Sequence, residues 1–144
     1  MSRTWLITGV SSGFGNEMTK QLLKKGDTVI GTVRNTKKVE ELIAEYPDTF
    51  DCQILDVTDI DRIHRFIPEM FEKHGRIDVV VNNAGYGLFG AAEELDYENI
   101  NKILATNLTA PIMVIHDSLP YLRKQGGGRI IQLSSVSPQS SSAI

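Results

Sequence analysis

The most chemically informative stretch of the sequence is Thr8-Gly9-Val10-Ser11-Ser12-Gly13-Phe14-Gly15, between a short apolar run and an amphipathic helical pattern. Gly9 permits a sharp turn, Gly13 leaves the backbone open to a pyrophosphate, and Gly15 lets a helix pack closely on a sheet. Unpaired amides at the start of that helix attract the anion. The sequence therefore predicts a dinucleotide-binding loop made by Thr8, Gly9, Ser11, Ser12, Gly13, Phe14 and Gly15. The alternative is a glycine-rich turn that binds nothing.

The residues after the second predicted strand bear on which dinucleotide binds. Enzymes that select NAD usually place an acidic side chain there, about 20 residues after the glycines, where it holds the ribose hydroxyls. This sequence has Arg34-Asn35 at that place and no carboxylate. A guanidinium pairs with a 2′-phosphate, which a carboxylate would repel. Arg34 therefore favours NADP over NAD, the alternative being a solvated arginine at the start of a helix.

The elements that must position these residues follow from the hydrophobic pattern. Short apolar runs alternate with longer segments of helical period, which is typical of βαβ units, and the first run is apolar throughout, as in a strand covered on both faces. The sequence predicts an α/β fold with a doubly wound (Rossmann) parallel sheet in the order 3-2-1-4-5. Residues 1–144 are expected to form a single dinucleotide-binding domain, with a divergent, serine-rich tail at 136–144. The predicted strands are Thr4–Thr8, Thr28–Val33, Cys52–Leu55, Ile77–Val81 and Arg129–Leu133.

The first three helical segments have recognisable faces and ends. The first is predicted to place Phe14, Met18 and Leu22 on one face, because they are spaced four residues apart. Asn35 is expected to cap the second helix, and Pro68 is expected to kink the third because its nitrogen cannot donate a hydrogen bond.

A longer helical pattern runs from about Tyr97 to Lys124. Pro111 and Pro120 are expected to bend or divide it. Its predicted buried positions are Ile100, Ile103, Leu104, Met113, Ile115 and Leu122.

Composition and charge exclude several other classes of protein. The 144 residues carry a formal net charge of −3 and offer no basic face for nucleic acid. No apolar span of about 20 residues is present, so neither a membrane partner nor secretion is predicted and a cytoplasmic location is expected. The single cysteine excludes an internal disulfide, and His64, His74 and His116 lack metal-ligand spacing, so no metal site is predicted.

The glycine spacing T-G-x-x-x-G-x-G, together with Asn82-Asn83-Ala84-Gly85 after the fourth strand, resembles the short-chain dehydrogenase/reductase family from Thr4 to about Val136. The resemblance implies that Asn83, Ala84 and Gly85, with Asn82, stabilise the sheet and contact the adenosine side of the cofactor. Amides at the end of a buried strand need hydrogen-bond partners in any case, so bridging between strands is an equal alternative. Asp56-Val57 resembles the pair of residues that the family places at the adenine edge of the cofactor. Alternatively, Asp56 only caps a turn or a helix.

The same resemblance implies hydride transfer between a nicotinamide and a small-molecule carbonyl or alcohol substrate. Asn107, within Thr106-Asn107-Leu108, matches the asparagine that supports a proton-relay water, and Ser135 matches the serine that holds the substrate oxygen, with Ser134 as its rival. Tyr86, Leu88 and Phe89 either line an apolar substrate pocket or pack beneath a loop. The long helix is expected to join a homodimer or homotetramer, although packing on the sheet explains the same apolar pattern.

The tyrosine and lysine of the family's Tyr-x-x-x-Lys element are expected beyond Ile144. A sheet ending at the fifth predicted strand would also leave an apolar edge unpaired. We therefore expect a longer enzyme continued by further strands. The alternatives are a truncated product that binds nucleotide without turnover and a scaffold that associates with a partner.

Overall fold

The computed structural model describes residues 1–87 and 90–134. Its strands are β1 (Thr4–Ile7), β2 (Thr28–Val33), β3 (Phe50–Ile54), β4 (Val79–Asn82) and β5 (Arg129–Gln132). All five are parallel and form one sheet in the order β3-β2-β1-β4-β5. The predicted fold class and strand order are confirmed, and the strand ends differ from the prediction by no more than two residues.

The centre of the sheet is fully buried. Leu6 in β1 pairs with Ile30 in β2 on one side and with Val80 in β4 on the other, and none of the three is exposed to solvent. Helices cover both faces of these strands, which explains why their sequences are apolar throughout rather than alternating with polar residues.

Residues 1–87 and 90–134 contain five α-helices: α1 (Gly13–Lys24), α2 (Glu40–Glu45), α3 (Ile60–His74), α4 (Tyr97–Leu104) and α5 (Ala110–Lys124). Leu22 of α1 and Leu42 of α2 belong to one apolar cluster, whereas Phe66 of α3 and Val114 of α5 belong to another. The sheet therefore lies between two helical layers. Within residues 1–87 and 90–134, no helix is long and apolar enough to cross a bilayer.

Phe14 begins the four-residue spacing with Met18 and Leu22, but it is 80% exposed, because it lies in the first turn of α1, beside open space at the strand ends. One prediction about the second helix needs correction. Asn35 does not cap α2 directly. Its Oδ1 accepts from the amide of Lys37, 3.2 Å away, and so leads into a 3₁₀ turn, Lys37–Val39, that precedes α2.

The long helical segment from Tyr97 to Lys124 is divided, as was predicted from the presence of Pro111. A π-helical turn, Ala105–Thr109, separates α4 from α5, and Pro111 follows in the first turn of α5. Pro111 has no N–H for the carbonyl of Asn107, so an ordinary helical turn would lose a hydrogen bond here. The wider turn also changes which residues face the core, and Leu104, predicted to be buried, is 49% exposed. By contrast, α3 and α5 run on through Pro68 and Pro120.

Candidate nucleotide-binding site

A cleft of about 650 Å³ opens at the carboxyl ends of β1, β2, β3 and β4. Parallel α/β sheets bind ligands at this edge, where the strand order reverses between β1 and β4. Most of the predicted cofactor-binding residues line the cleft, namely Gly9, Ser11, Ser12, Gly13, Phe14, Arg34, Val57, Asn83, Ala84 and Gly85. The structure thus brings together residues from four separate strand ends.

The glycine loop is held in place by its neighbours in the sheet. Gly9 leaves β1 with a φ of 72°, a conformation that favours glycine, and its amide donates to Oγ1 of Thr32, 3.1 Å away. The hydroxyl of Thr8 accepts from the amides of Asn83 and Ala84, each at 3.0 Å. Thr8 therefore organises the loop from beneath rather than lining the cleft.

Asn83 is the second residue that fixes this loop. Its Nδ2 donates to the backbone carbonyls of Thr8, at 3.1 Å, and Gly9, at 2.8 Å. Asn82 points elsewhere, because its Nδ2 lies 3.4 Å from the carbonyl oxygen of Pro111 in the helical layer. The structure therefore shows the bridging role that the sequence left open, whereas contact of Asn83 with a cofactor stays a prediction.

The start of α1 faces the cleft with unpaired amides. Ser12 precedes the helix without a capping hydrogen bond from its side chain, and the first turn contains no acidic residue. Gly13 has a φ of 59° and open space where a Cβ would lie, as the predicted phosphate approach requires. At Gly15 a Cβ would collide with the carbonyl oxygen of Gly9 and the Nδ2 of Asn83, so this glycine serves close packing rather than the cleft surface.

Three cationic side chains line the cleft away from the glycine loop. Arg34 and Lys38 line it from the segment after β2, and Lys102 lines it from α4. No aspartate or glutamate of residues 1–87 and 90–134 lines the cleft. Arg34 was predicted from the sequence, but Lys38 and Lys102 were not. Lys38 could have been found by its closeness in sequence to Arg34 after β2, whereas the position of Lys102 depends on how α4 packs.

Asp56 lies beside the cleft but does not line it. Its Oδ1 accepts from the hydroxyl of Thr58 at 2.7 Å and from the amide of Thr58 at 2.9 Å. These two hydrogen bonds lower the pKa of Asp56, and the nearby charges of Arg34 and Lys102 lower it further, against a smaller opposing effect of burial. The structure thus shows the turn-capping role that the sequence gave as an alternative, with a carboxylate that stays ionised.

Asn107 joins the π-helical turn to the loop after β4. Its Oδ1 accepts from the amide of Tyr86 at 3.1 Å, and its Nδ2 donates to the carbonyl oxygen of Tyr86 at 2.7 Å. This reciprocal pair leaves little room at Gly85, where a Cβ would lie 3.0 Å from Asn107 Oδ1. In this structure, therefore, the Asn107 side chain positions the loop that forms one wall of the cleft. Thr106, which the sequence analysis did not select, lines the cleft directly.

Several predicted residues lie outside the part of the chain that the structure describes. Ser135, the proposed substrate-binding serine, is one of them, as are Leu88 and Phe89 of the proposed apolar pocket. Ser134, the rival of Ser135, is described and is exposed just after β5. Tyr86, the remaining pocket residue, lines the cleft.

The fold and the cleft together define a dinucleotide-binding α/β domain. A model of the short chain dehydrogenase family matches residues 3–143. The chain belongs to this family, which the sequence pattern had indicated.

Known proteins agree with this assignment. The chain is 36% identical over 137 residues to oxidoreductase BOA17 of Botryotinia fuckeliana, covering 94% of this chain and 50% of that protein. It resembles the crystal structure of a short-chain dehydrogenase from Streptomyces avermitilis with a TM-score of 0.91 and 38% identity, covering 97% of this chain and 52% of the other. A metagenomic short-chain oxidoreductase in complex with NADP gives a TM-score of 0.90 at 28% identity, with coverages of 99% and 67%. The chain spans about half the length of the curated relatives it matches.

Proposed function

We propose that this chain is the nucleotide-binding part of an NADP-preferring oxidoreductase that transfers a hydride between the nicotinamide and a carbonyl or alcohol substrate. The observation that carries the proposal is the charge of the cleft. Arg34 lines it at the end of β2, and no carboxylate of the described residues lines it beside Arg34. An NAD site would place an acidic side chain there to hold the ribose hydroxyls.

The two cofactors differ in one group, the 2′-phosphate of the adenosine ribose. A guanidinium offers paired donors to such a phosphate, and hydrogen bonds to charged groups contribute about 1.5–3 kcal/mol each. Because 1.4 kcal/mol is a factor of about ten in affinity, Arg34 alone is expected to make NADPH bind at least about tenfold more tightly than NADH. The NADP complex of a relative supports the same cofactor class for this fold.

The test is a fluorescence titration of the protein with NADPH and with NADH. We expect saturable binding of both and a preference for NADPH, and we expect Arg34→Asp to reverse that preference. Arg65→Asp is the matched control, because Arg65 is an exposed residue of α3 and the change in total charge is the same. Equal affinities of the wild-type protein for both nucleotides would refute the NADP assignment.

Catalysis is a further part of the proposal. Asn107 is proposed to support the proton relay and Ser135 to hold the substrate oxygen, with Thr8, Gly15, Asp56 and the cleft-lining residues serving the cofactor site. Oxidation of NADPH in the presence of a panel of ketones, and its loss in Ser135→Ala, would support this reaction. Binding of NADPH without turnover of any ketone, by a protein that includes the Tyr-x-x-x-Lys element, would favour the alternative, a nucleotide-binding protein without enzymatic activity.

The remaining parts of the proposal concern the whole molecule. We propose that residues 1–144 form a single domain that works in the cytoplasm and associates as a homodimer or homotetramer. Self-association is supported by three exposed apolar side chains along α4, the π-helical turn and α5, since Leu104, Leu108 and Ile112 are about half exposed and spaced four residues apart. Sedimentation equilibrium measures the assembled mass, and a monomer at every concentration would rule out this part.

A further inference from the structure

We infer that Lys38 is a second specificity-determining residue, which binds the 2′-phosphate of NADP together with Arg34. This inference rests on the proposed function and adds a residue that the sequence analysis did not select. Lys38 lines the cleft next to Arg34 and Asn35, whereas its neighbour Lys37 does not line it. The two adjacent lysines thus have different surroundings although both are exposed.

The local structure explains why only one of the two lysines reaches the cleft. Both lie in the 3₁₀ turn that follows Arg34, and the turn is fixed at both ends. At its start, Oδ1 of Asn35 accepts from the amide of Lys37, and at its end Val39 is buried with 1% exposure. Since a short turn anchored in this way cannot rotate freely, Lys38 is held toward the cleft and Lys37 away from it.

The charge of the ligand calls for a second cation. A phosphate monoester carries about −1.5 to −2 charges at neutral pH, so the single charge of Arg34 leaves part of it uncompensated. The glycine loop cannot supply the rest, because residues 8–16 contain no lysine or arginine. The other cations that line the cleft, Lys38 and Lys102, can supply further counter-charge.

Lys38 is better suited to this role than Lys102, the other lysine that lines the cleft. Asp56 lies close enough to Arg34 and Lys102 for both charges to lower its pKa, so its carboxylate partly neutralises them. Lys38 forms no ion pair within 4 Å in the part of the chain that the structure describes. Lys38 and Arg34 both line the cleft from the short segment that follows β2.

The experiment compares Lys38→Gln with Lys37→Gln, which remove the same charge from adjacent positions. Dissociation constants for NADPH and NADH are measured for both variants and for the wild-type protein. We expect Lys38→Gln to weaken NADPH binding by about tenfold or more, as the loss of one charge-assisted contact predicts, with NADH binding unchanged. Lys37→Gln is expected to bind both nucleotides like the wild-type protein.

The outcomes separate this inference from the proposed function. A wild-type protein without preference for NADPH would contradict the proposed function itself. A clear preference that Lys38→Gln leaves intact, or that Lys37→Gln reduces equally, would overturn the role of Lys38 alone. An equal loss of NADPH and NADH affinity in Lys38→Gln would also overturn it, because the contact would then be with the pyrophosphate that both nucleotides share. Thermal unfolding of the variants shows whether either substitution disturbs the fold.

Discussion

Gly15 illustrates how a single hydrogen atom in place of a side chain decides the geometry of the cleft. A methyl group at this position would overlap the carbonyl oxygen of Gly9 and the amide nitrogen Nδ2 of Asn83. Those two groups are themselves hydrogen-bonded to each other at 2.8 Å, so neither can move without breaking the contact that holds the loop. Gly13, two residues earlier, has open space at the same point.

We therefore expect substitution by alanine to have different effects at Gly15 and at Gly13. Gly15→Ala is expected to lower the free energy of unfolding by about 1–3 kcal/mol, the usual cost of overpacking, and to weaken NADPH binding as the loop shifts. Gly13→Ala is expected to lower it by only about 1–2 kcal/mol, the cost of the left-handed backbone, while its methyl group obstructs the nucleotide. Urea denaturation and NADPH titration measure both properties. A Gly15→Ala protein as stable as the wild type would disprove the packing argument.

At the residue scale, the sequence predicted what depends on local chemistry and missed what depends on tertiary placement. The glycine loop and Arg34 were identified because their spacing relative to the strands is fixed by the βαβ unit. Lys102 lines the cleft from α4, a placement that depends on tertiary packing and that no local pattern reveals. Asp56 was open to two interpretations, and only the hydrogen bonds to Thr58 identify the turn-capping role.

The π-helical turn is the element that links the helical layer to the cleft. It lies between α4 and α5 and directs the Asn107 side chain toward the backbone of Tyr86, where both polar atoms of the amide are used. The turn is associated with Pro111, which cannot donate to the Asn107 carbonyl. An irregular helix thus positions the loop after β4.

Removing this amide is expected to loosen the loop without unfolding the sheet. In Asn107→Ala the amide of Tyr86 loses its acceptor, and its hydrogen exchange should accelerate by about two- to tenfold, as the loss of one or two ordinary hydrogen bonds predicts. Asn101→Ala is the matched control, because Asn101 is an exposed asparagine of α4. Hydrogen exchange followed by NMR gives the rate at Tyr86 itself. Unchanged exchange at Tyr86 in Asn107→Ala would show that other contacts hold the loop.

At the scale of elements, the strands were more predictable than the helices. The strands were found with small errors at their ends, because buried parallel strands leave continuous apolar runs. The helical errors arose where periodicity ceased to report burial. Leu104 keeps the apolar spacing but is 49% exposed, because it precedes a turn that changes the helical period.

The whole molecule combines a negative net charge with a cationic cleft. The chain carries a formal charge of −3, yet the charged residues that line the cleft among those described are Arg34, Lys38 and Lys102. A concave surface of one sign concentrates the field and attracts oppositely charged ligands. The overall charge thus disfavours polyanions such as nucleic acid, while the cleft remains suited to a phosphorylated nucleotide.

The stability of the whole molecule depends on how its outer strands are held, and β3 lies at one edge of the described sheet. Asp51 in β3 connects this strand to the end of α3, since its Oδ2 lies 2.9 Å from Nζ of Lys73 and 2.8 Å from Nε2 of His74. Burial opposes the ionisation of Asp51, but hydrogen bonds from Lys73, His74 and Gln53 outweigh it, so the pKa of Asp51 is lowered. An ionised Asp51 is therefore favoured by folding.

This pKa shift predicts a pH-dependent contribution to stability. A carboxyl group whose pKa is lower in the folded state stabilises the protein fully above its unfolded pKa of about 3.9, and the effect is lost as the pH falls through the folded value. At neutral pH we expect Asp51→Asn to reduce the free energy of unfolding by about 1–2 kcal/mol, the contribution of charge-assisted hydrogen bonds at a partly buried site.

Asp48→Asn, at an exposed position in the turn that precedes β3, is the control and should have no such effect. Urea denaturation of all three proteins at neutral pH and at about pH 2 should show the difference between wild type and Asp51→Asn shrinking in acid as Asp51 is protonated. A difference that stays constant would mean that Asp51 acts through its shape rather than its charge.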